Sequence, residues 1–312
     1  MGAGMPIPAV TEPSSRSLRP VAHTDGGAPI ARASGSSIPD LLRAAHLEPS
    51  VVVVVVTAGL AVGVGVGGPR LALLVVAVLS GQLSVGWSND WIDARQGRDD
   101  GRTDKPAAVG SVTQTAVRRA AMGALAVTVV TSVWLGPLPG GLHLVAVAVA
   151  WAYNAGLKGT AWSPVSYLVA FGLLPVVVTT TADAGWPAWW AVVAAACFGA
   201  GVHAANVLPD LERDRAQGIG GLPQRLGSAG AAAMAVTFLG VGSASALFGA
   251  AVRGGQAVGV GAVLGMAVVA TLLVGVVASH RAGRPGLAFR LSMATGLLLV
   301  GTLVAQGSGL TG

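Results

Sequence analysis

Long apolar runs alternate with short polar stretches along the chain after residue 37. Nine of these runs are roughly 17 to 25 residues long, the length that an α-helix needs to cross the hydrocarbon core of a bilayer. The pattern therefore predicts an all-α polytopic membrane protein with nine transmembrane helices. The predicted spans are residues 48–67, 70–88, 113–136, 141–157, 164–182, 187–208, 227–250, 256–279 and 286–307.

The first 37 residues differ from the rest of the chain. They are rich in proline, glycine, serine and alanine and show no apolar periodicity, a composition typical of disordered segments. We expect a disordered cytoplasmic tail over residues 1–37 and a transmembrane domain over residues 38–312.

Composition supports a multi-pass membrane protein and excludes several other classes. Hydrophobic residues make up 53% of the 312 positions and charged residues only 10%, whereas soluble domains carry about 25% charged residues. This shortfall of charge excludes an ordinary cytosolic enzyme, a disordered regulator and a disulfide scaffold.

The excess of basic residues is explained by the membrane rather than by nucleic acid. The net charge is +6, and cytoplasmic loops of membrane proteins are enriched in lysine and arginine. With nine spans, 17 of the 19 basic residues lie on the side of the N-terminal tail, and only Arg70 and Arg253 lie on the other. The split predicts a cytoplasmic N-terminus, and we expect no nucleic-acid partner.

The acidic residues are concentrated in two places. Eight of the 13 fall in two short stretches, one after the second predicted span and one after the sixth. Carboxylates near membrane depth are costly unless they are paired or hold a cation, so this placement suggests a functional site. The eight are Asp90, Asp93, Asp99, Asp100 and Asp104, then Asp210, Glu212 and Asp214.

Spacing places oxygen ligands from each stretch on one helix face. In the first stretch an amide and a carboxylate stand one turn apart; in the second, three residues form a stripe at i, i+4 and i+8 if the sixth span continues as a helix. Like charges this close repel, and oxygen ligands of this type favour a hard divalent ion such as Mg²⁺. The predicted ligands are Asn89, Asp90 and Asp93, then Asn206, Asp210 and Asp214.

The same loops carry cations that can bind an anion. Lys158, one of only two lysines, follows the fourth span, and arginines flank both acidic stretches. Metal-binding oxygens that alternate with basic side chains are typical of a site for a metal ion and a diphosphate. For each arginine, the general enrichment of basic residues in cytoplasmic loops is an alternative explanation. The basic residues concerned are Arg95, Arg98, Arg102, Lys105, Lys158 and Arg213.

The two acidic stretches resemble the motifs of the UbiA superfamily of intramembrane prenyltransferases. Residues 89–99, Asn-Asp-Trp-Ile-Asp-Ala-Arg-Gln-Gly-Arg-Asp, look like the first aspartate motif, NDxxDxxxD, and residues 210–214, Asp-Leu-Glu-Arg-Asp, look like the second, DxxxD. Residues 221–227, Gly-Leu-Pro-Gln-Arg-Leu-Gly, are similar to the segment that leads into the seventh helix of the family. The resemblance covers all nine predicted spans and implies a helical bundle that encloses a central cavity.

Two positions depart from the family pattern. The last aspartate of the first motif is expected at position 97, which is glycine, and Asp99 follows two residues later. This spacing is similar to the 1,4-dihydroxy-2-naphthoate prenyltransferase branch and makes Asp99 the substitute ligand. The YxxxK element of the family appears as Tyr153-Asn-Ala-Gly-Leu-Lys158, one residue longer.

The resemblance implies Mg²⁺-dependent transfer of an isoprenyl group from an allylic prenyl diphosphate to an aromatic or quinone-precursor acceptor, with release of pyrophosphate. The expected partners are this donor, a lipophilic or aromatic acceptor and the lipid bilayer, with the site toward the cytoplasm. Catalytic roles would fall to Asp90, Asp93, Lys158, Asp210 and Asp214. The diphosphate would be bound by Arg95, Lys105, Tyr153, Lys158 and Arg213, and the metal ligands would include Asp99.

Cleavage of the carbon–oxygen bond would produce an allyl cation that water must not reach. Aromatic faces near the motifs, those of Trp87, Trp91 and Tyr153, could shelter this cation, but interfacial anchoring is an equal explanation for the tryptophans. His203 is either a proton acceptor or a satisfied buried histidine.

Other functions remain open at this point. A membrane terpene cyclase and a phosphoribosyl transferase are enzymes of similar fold, and a cation-coupled transporter would also place aspartates in the membrane. The carboxylates lie near helix ends rather than near the midplane, which argues against the transporter.

Overall fold

In a computed structural model of the protein, the described residues are 1–2, 38–45, 47–98, 106 and 109–311. The chain separates into a unit of residues 1–34 and a unit of residues 35–312, and the described helices all belong to the second unit. The predicted tail lies outside the described residues except for residues 1 and 2, so its disorder stays a prediction.

The described residues of this second unit are helical almost throughout. Two short 3₁₀ turns, Leu157–Gly159 and Gly307–Leu310, accompany the α-helices. The helices are α1 (Ile38–Ala44), α2 (Leu47–Gly63), α3 (Gly68–Arg95), α4 (Gln114–Leu135), α5 (Pro137–Ala155), α6 (Ser163–Thr181), α7 (Trp189–Val207), α8 (Leu211–Ala216), α9 (Leu222–Gly254), α10 (Val260–Arg281) and α11 (Pro285–Gln306).

Within the part of the chain that the structure describes, eight helices are long and apolar enough to cross a membrane: α3 to α7 and α9 to α11. The prediction of an all-α protein with many spans is confirmed for these eight. Helix α2 coincides with the first predicted span, but its apolar part, Pro49–Gly63, is shorter. The ninth span, the central cavity and the orientation of the N-terminus stay predictions.

Proline residues mark where many of these helices begin. A proline lies at the first or second position of five spanning helices, where its missing N–H would have no partner in the helix and its fixed φ is already helical. The prolines are Pro69, Pro137, Pro164, Pro223 and Pro285.

Helix α3 extends from one end of the bundle to the other. Arg70 lies near its first residue and Asp93 near its last, about 35 Å apart at 1.5 Å per residue, more than the roughly 30 Å of a hydrocarbon core. Exposed tryptophans flank the apolar segments at both ends: Trp162 at the start of α6, and Trp134, Trp186 and Trp189 at the opposite end. Such aromatic residues are typical of the two membrane interfaces.

Polar contacts connect the loops at the end opposite to the acidic motifs. Arg70, at the start of α3, is ion-paired with Asp183, which follows α6. The backbone N–H of Ala188, before α7, donates to the carbonyl of Leu310 at 2.7 Å. These contacts hold three spanning helices and the C-terminal residues together far from the acidic motifs.

Candidate functional site

Lys158 reaches the acidic end of α3 because of how α5 ends. Helix α5 stops at Ala155, and Gly156, with an extended backbone (φ 174°), turns the chain into the 3₁₀ turn Leu157–Gly159. Tyr153 is thus on the helix and Lys158 is beyond it. The extra residue between the two, which departs from the family pattern, is taken up in this turn.

The Lys158 ammonium contacts two oxygen-bearing side chains of the first motif. It is ion-paired with the carboxylate of Asp93 and donates a hydrogen bond to the amide oxygen of Asn89 at 3.3 Å. Lys158 and Asp93 are 6% and 8% exposed, so each charge depends on the other for compensation. Asn89 and Asp93 share one face of α3, as the spacing predicts.

The remaining residues of the first motif lie around this pair. Asp90 is 1% exposed, so its carboxylate is enclosed by protein. Arg98 places one guanidinium nitrogen 3.6 Å from Asp93 Oδ1, whereas Arg95 is exposed. Asp99 and Lys105 lie outside the described residues, and their roles stay predictions.

The connection from α1 to α2 lies against the same part of α3. A methyl group on Gly86 would lie 2.3 Å from the carbonyl oxygen of Ala45, so only glycine allows this approach. One position further, Trp87 donates its indole N–H to the carbonyl of Leu41 at 2.8 Å. The Arg118 guanidinium lies 5.6 Å from the ring centre of Trp91. Both tryptophans therefore have partners within the protein, and their roles stay predictions.

The second motif does not continue α7. That helix ends at Val207 and a separate helix, α8, starts at Leu211, so the predicted stripe of Asn206, Asp210 and Asp214 is wrong. Pro209 explains the break, because proline lacks the N–H for a helical hydrogen bond and its ring clashes with the carbonyl four residues earlier. Asn206 is exposed at the end of α7, and its role as a ligand stays a prediction.

Asp210 and Asp214 lie at the two ends of the first turn of α8. Arg213 lies 3.2 Å from Asp210 Oδ1, and Asp214 accepts a hydrogen bond at 2.8 Å from the side-chain amide of Gln224. Burial raises the pKa of Asp214, and the charge of Asp210 adds to this effect, whereas the Gln224 hydrogen bond and the charges of Arg213 and Lys158 oppose it.

One further observation brings the motifs together. A methyl group on Gly221 would lie 2.7 Å from the carbonyl oxygen of Lys158, so the segment that leads into α9 packs directly on the Lys158 turn. The two acidic stretches, about 120 positions apart in the sequence, therefore meet around one lysine.

A cluster of aromatic rings lies next to the Lys158 turn and includes both tyrosines of the chain. Tyr153 meets Tyr167 edge to face at 5.2 Å between ring centres, and His203 stacks on Tyr167 at 4.5 Å. Phe171, one turn further along α6, lies parallel to Tyr167 at 6.3 Å and contacts Phe198 at 5.4 Å. The cluster extends from the acidic end into the apolar interior.

A cavity continues from this cluster between helices α2, α3, α5 and α6. Phe171 lines it from α6, Ala150 from α5, and Val85, Gln82 and Val78 from α3. These last three lie one to three helical turns before Asn89, so the cavity runs along the bundle away from the acidic motifs.

Sequence reasoning missed three residues that organise the site. Ser163 accepts a hydrogen bond from the backbone N–H of Leu222 at 3.1 Å and is hydrogen-bonded to His203 at 3.2 Å, which matches the satisfied buried histidine considered above. Tyr167 joins the aromatic cluster, and Gln224 contacts Asp214. No local pattern gives these residues a role: Gln224 falls in the family-like segment 221–227, but its contact, like those of Ser163 and Tyr167, depends on how the chain packs.

The candidate metal donors of the two motifs are all oxygens: the Asn89 amide and the Asp93 carboxylate, which contact Lys158, and the carboxylates of Asp90 and Asp214. Among the described residues, no three of the His, Cys, Asp and Glu side chains stand close enough together to hold a metal ion. The chemistry of this donor set fits Mg²⁺, which prefers oxygen, keeps several waters and is commonly bound through one or two carboxylates plus the phosphates of a substrate.

Fold and site thus define an intramembrane protein whose acidic helix ends and basic side chains meet beside an apolar cavity. A model of the UbiA prenyltransferase family matches residues 50–307, which is most of the chain. The chain belongs to the UbiA prenyltransferase family, and the prediction of a prenyltransferase is confirmed at the level of the family. Comparison with curated proteins gave no significant match.

Solved structures share the fold. The apo structure of a UbiA homolog from Aeropyrum pernix has a TM-score of 0.63 at 22% identity and covers 81% of this chain and 97% of its own. A UbiA homolog from Archaeoglobus fulgidus bound to DMAPP and Mg²⁺ has a TM-score of 0.64 at 13% identity, covering 85% and 98%. The structure of that homolog bound to GPP and Mg²⁺ has a TM-score of 0.62 at 13% identity, with the same coverage.

Proposed function

We propose that the protein transfers an isoprenyl group from an allylic prenyl diphosphate to an aromatic or quinone-precursor acceptor, and that the transfer requires Mg²⁺. One observation carries the proposal: Lys158 contacts Asp93 of the first motif, and the Lys158 turn packs on Gly221, three residues before the Gln224 that hydrogen-bonds Asp214 of the second. An ammonium between two sets of carboxylates is suited to a ligand that carries both metal ions and phosphate. The structures of the Archaeoglobus fulgidus homolog with DMAPP or GPP and Mg²⁺ support this ligand.

The oxygen ligands of the two motifs would hold Mg²⁺ on the diphosphate. When bound, Mg²⁺ supplies positive charge that stabilises the diphosphate as a leaving group. The residues proposed for this role are Asn89, Asp90, Asp93 and Asp99 from the first motif, and Asn206, Asp210 and Asp214 from the second.

Basic side chains and a phenol would complete the diphosphate site. Lys158 donates N–H groups to the departing oxygens, and this charge is fixed in place before reaction, as electrostatic catalysis requires. The Arg213 guanidinium, close to Asp210, adds a second cation. Tyr153, Arg95 and Lys105 are the remaining proposed contacts.

The aromatic cluster would receive the allyl cation and the ring of the acceptor. The faces of Tyr153 and Tyr167 lie beside the acidic motifs and present π electrons to a positive charge. The packing of the cluster between α5, α6 and α7 would limit the access of water, which would otherwise quench the cation. The isoprenyl chain would follow Phe171 into the cavity along α3. A planar acceptor is favoured because the cluster presents flat ring faces.

We further propose that the site faces the cytoplasm. In the structure, Arg70 lies at the opposite end of α3 from Asp93. Arg253 lies in the last turn of α9, and its guanidinium is close to the backbone carbonyl of Thr311. The two basic residues assigned to the external side by the loop charges are therefore both remote from the acidic motifs, which supports the positive-inside assignment.

The test is to incubate the purified protein with a panel of prenyl diphosphates and aromatic acceptors and to identify products by mass spectrometry. We expect a prenylated acceptor and pyrophosphate, formed only with Mg²⁺. Asp93→Ala and Asp210→Ala should abolish turnover and leave membrane insertion unchanged. A cyclic hydrocarbon formed without acceptor would instead indicate a terpene cyclase, and ion flux in liposomes without pyrophosphate release would indicate a transporter.

A further inference from the structure

We propose that Gln224 is a positioning residue that orients the carboxylate of Asp214 toward Mg²⁺. The inference rests on the proposed function, because that function makes Asp214 a metal ligand. Gln224 lies in the first turn of α9, outside both aspartate motifs, and no family pattern quoted above gives it a role.

The contact between the two side chains is specific. The amide nitrogen Nε2 of Gln224 donates to Asp214 Oδ2 at 2.8 Å, and Gln224 is only 5% exposed. A hydrogen bond to one carboxylate oxygen fixes the rotation of the carboxylate and leaves the other oxygen for a metal. Partners of this kind set the geometry of metal ligands, and their loss typically lowers metal affinity or activity about 10- to 100-fold.

Gln224 is itself held in place from two sides. Its backbone carbonyl accepts hydrogen bonds from both Nε and Nη2 of Arg215, at 3.1 and 2.8 Å, a fork that a lysine could not reproduce. Its side-chain oxygen lies beside Gly221, where an added methyl group would be 2.5 Å away. That glycine packs on the Lys158 turn, so the position of the Gln224 amide is tied to the position of Lys158.

A purely structural role does not explain an amide at this position. The side-chain oxygen Oε1 of Gln224 is buried, and no hydrogen-bond partner is found for it among the described residues. Burying a polar atom without a partner is unfavourable, so an apolar side chain of the same length would pack there at a lower cost. The donated hydrogen bond to Asp214 is the property that such a side chain would lose.

The direct test is binding of Mn²⁺, as a probe for Mg²⁺, to the full-length protein in detergent with inorganic pyrophosphate, measured by electron paramagnetic resonance. Gln224→Met keeps the length of the side chain and removes the donor. We expect the Kd for Mn²⁺ to rise about 10- to 100-fold. The matched control is Gln217→Met at the end of α8, for which we expect a change of less than about twofold.

A second readout separates positioning from packing. In prenyl transfer, Gln224→Met should raise the Mg²⁺ concentration for half-maximal rate by a similar factor, whereas kcat at saturating Mg²⁺ should return to within about threefold of the wild type, because excess metal compensates for weaker binding. If Gln224→Met does not fold, Arg215→Lys tests the same relay, with a smaller rise in the same direction.

Two results would overturn the proposal. One is a Mn²⁺ affinity of Gln224→Met, or of Arg215→Lys in its place, equal to that of the wild type. The other is a loss of kcat that saturating Mg²⁺ does not restore. Failure of the proposed function would give a different result from failure of this proposal: the wild type would bind Mn²⁺ and transfer no prenyl group. The comparison of Mn²⁺ affinities between the wild type and the variants would still decide the role of Gln224.

Discussion

Lys158 and Asp93, 65 positions apart in the chain, form a buried ion pair. The lysine compensates the charge of an enclosed carboxylate of the first motif. Without a partner, a buried carboxylate would strongly destabilise the fold. Under the proposed function, a metal ion held by the Asp93 carboxylate would take over this compensation and leave the Lys158 ammonium, in the same place, for the phosphate oxygens. One lysine would thereby link the metal site to the anion site.

Replacing Lys158 by methionine should therefore lower stability most when Mg²⁺ is absent. Removing one partner of a buried pair costs about 3–5 kcal/mol, and we expect the lower end because Arg98 is also close to Asp93. The thermal unfolding temperature in detergent, with and without Mg²⁺, measures the effect. Mg²⁺ should recover part of the loss by compensating Asp93.

The matched control for this experiment is Arg95→Met, which removes an exposed cation from the same helix end. This substitution should leave the unfolding temperature unchanged, and Mg²⁺ should shift that temperature as much as it does in the wild type. Equal losses in Lys158→Met and Arg95→Met would contradict a special role for the buried pair.

Substituting Gly221 by alanine should disturb the junction of the two motifs. The new methyl group would lie within 3 Å of the Gln224 side chain, the Lys158 carbonyl and the Ser163 hydroxyl, and overpacking of this kind typically costs about 1–3 kcal/mol. We expect a loss of stability together with a loss of prenyl transfer. In Gly220→Ala, where the nearest atom would be 3.4 Å away, both should stay close to the wild type.

Tyr167 should matter through its ring rather than its hydroxyl. Tyr167→Phe keeps the stacking on His203, whereas Tyr167→Leu removes a π face from the cluster and opens space for water. We expect near-normal transfer for the phenylalanine variant. For the leucine variant we expect a roughly tenfold loss and a rise in the fraction of prenol, the product of quenching by water, measured by chromatography. A leucine variant with the product ratio of the wild type would exclude this role.

The cavity along α3 should set which donors are accepted. Ala150→Leu adds side-chain volume to the cavity wall, and we expect selectivity in kcat/KM to shift toward donors with fewer isoprene units. Ala148→Leu makes the same change on an exposed position of α5 and should leave donor preference unaltered. An unchanged donor preference in Ala150→Leu would show that the isoprenyl chain takes another path.

Much of this fold could be predicted because bilayer thickness fixes the length of an apolar helix. The ends of α4 and α7 lie within two residues of the predicted spans, since polar loops and prolines mark them in the sequence. The break between α7 and α8 was not predicted, because the spacing of the carboxylates favoured a continuous helix. Pro209 is the residue that signals the break.

The site was predicted less completely, for a physical reason. Residues one helical turn apart, such as Asn89 and Asp93, share a face whatever the rest of the fold does. The contacts of Lys158, Tyr167 and Gln224 depend instead on how distant helices pack. Apolar helices in a membrane offer no periodic signal that specifies such packing.

The claim that both aspartate motifs act on one diphosphate is tested most directly by ligand binding. A prenyl thiolodiphosphate, which resists ionisation, would be titrated with Mg²⁺ into the wild type, Asp93→Asn and Asp214→Asn. We predict that each variant loses at least about tenfold in Mg²⁺-dependent affinity, the loss typical when the groups around a bound metal are disturbed. Wild-type affinity and Mg²⁺ dependence in either variant would contradict a shared site.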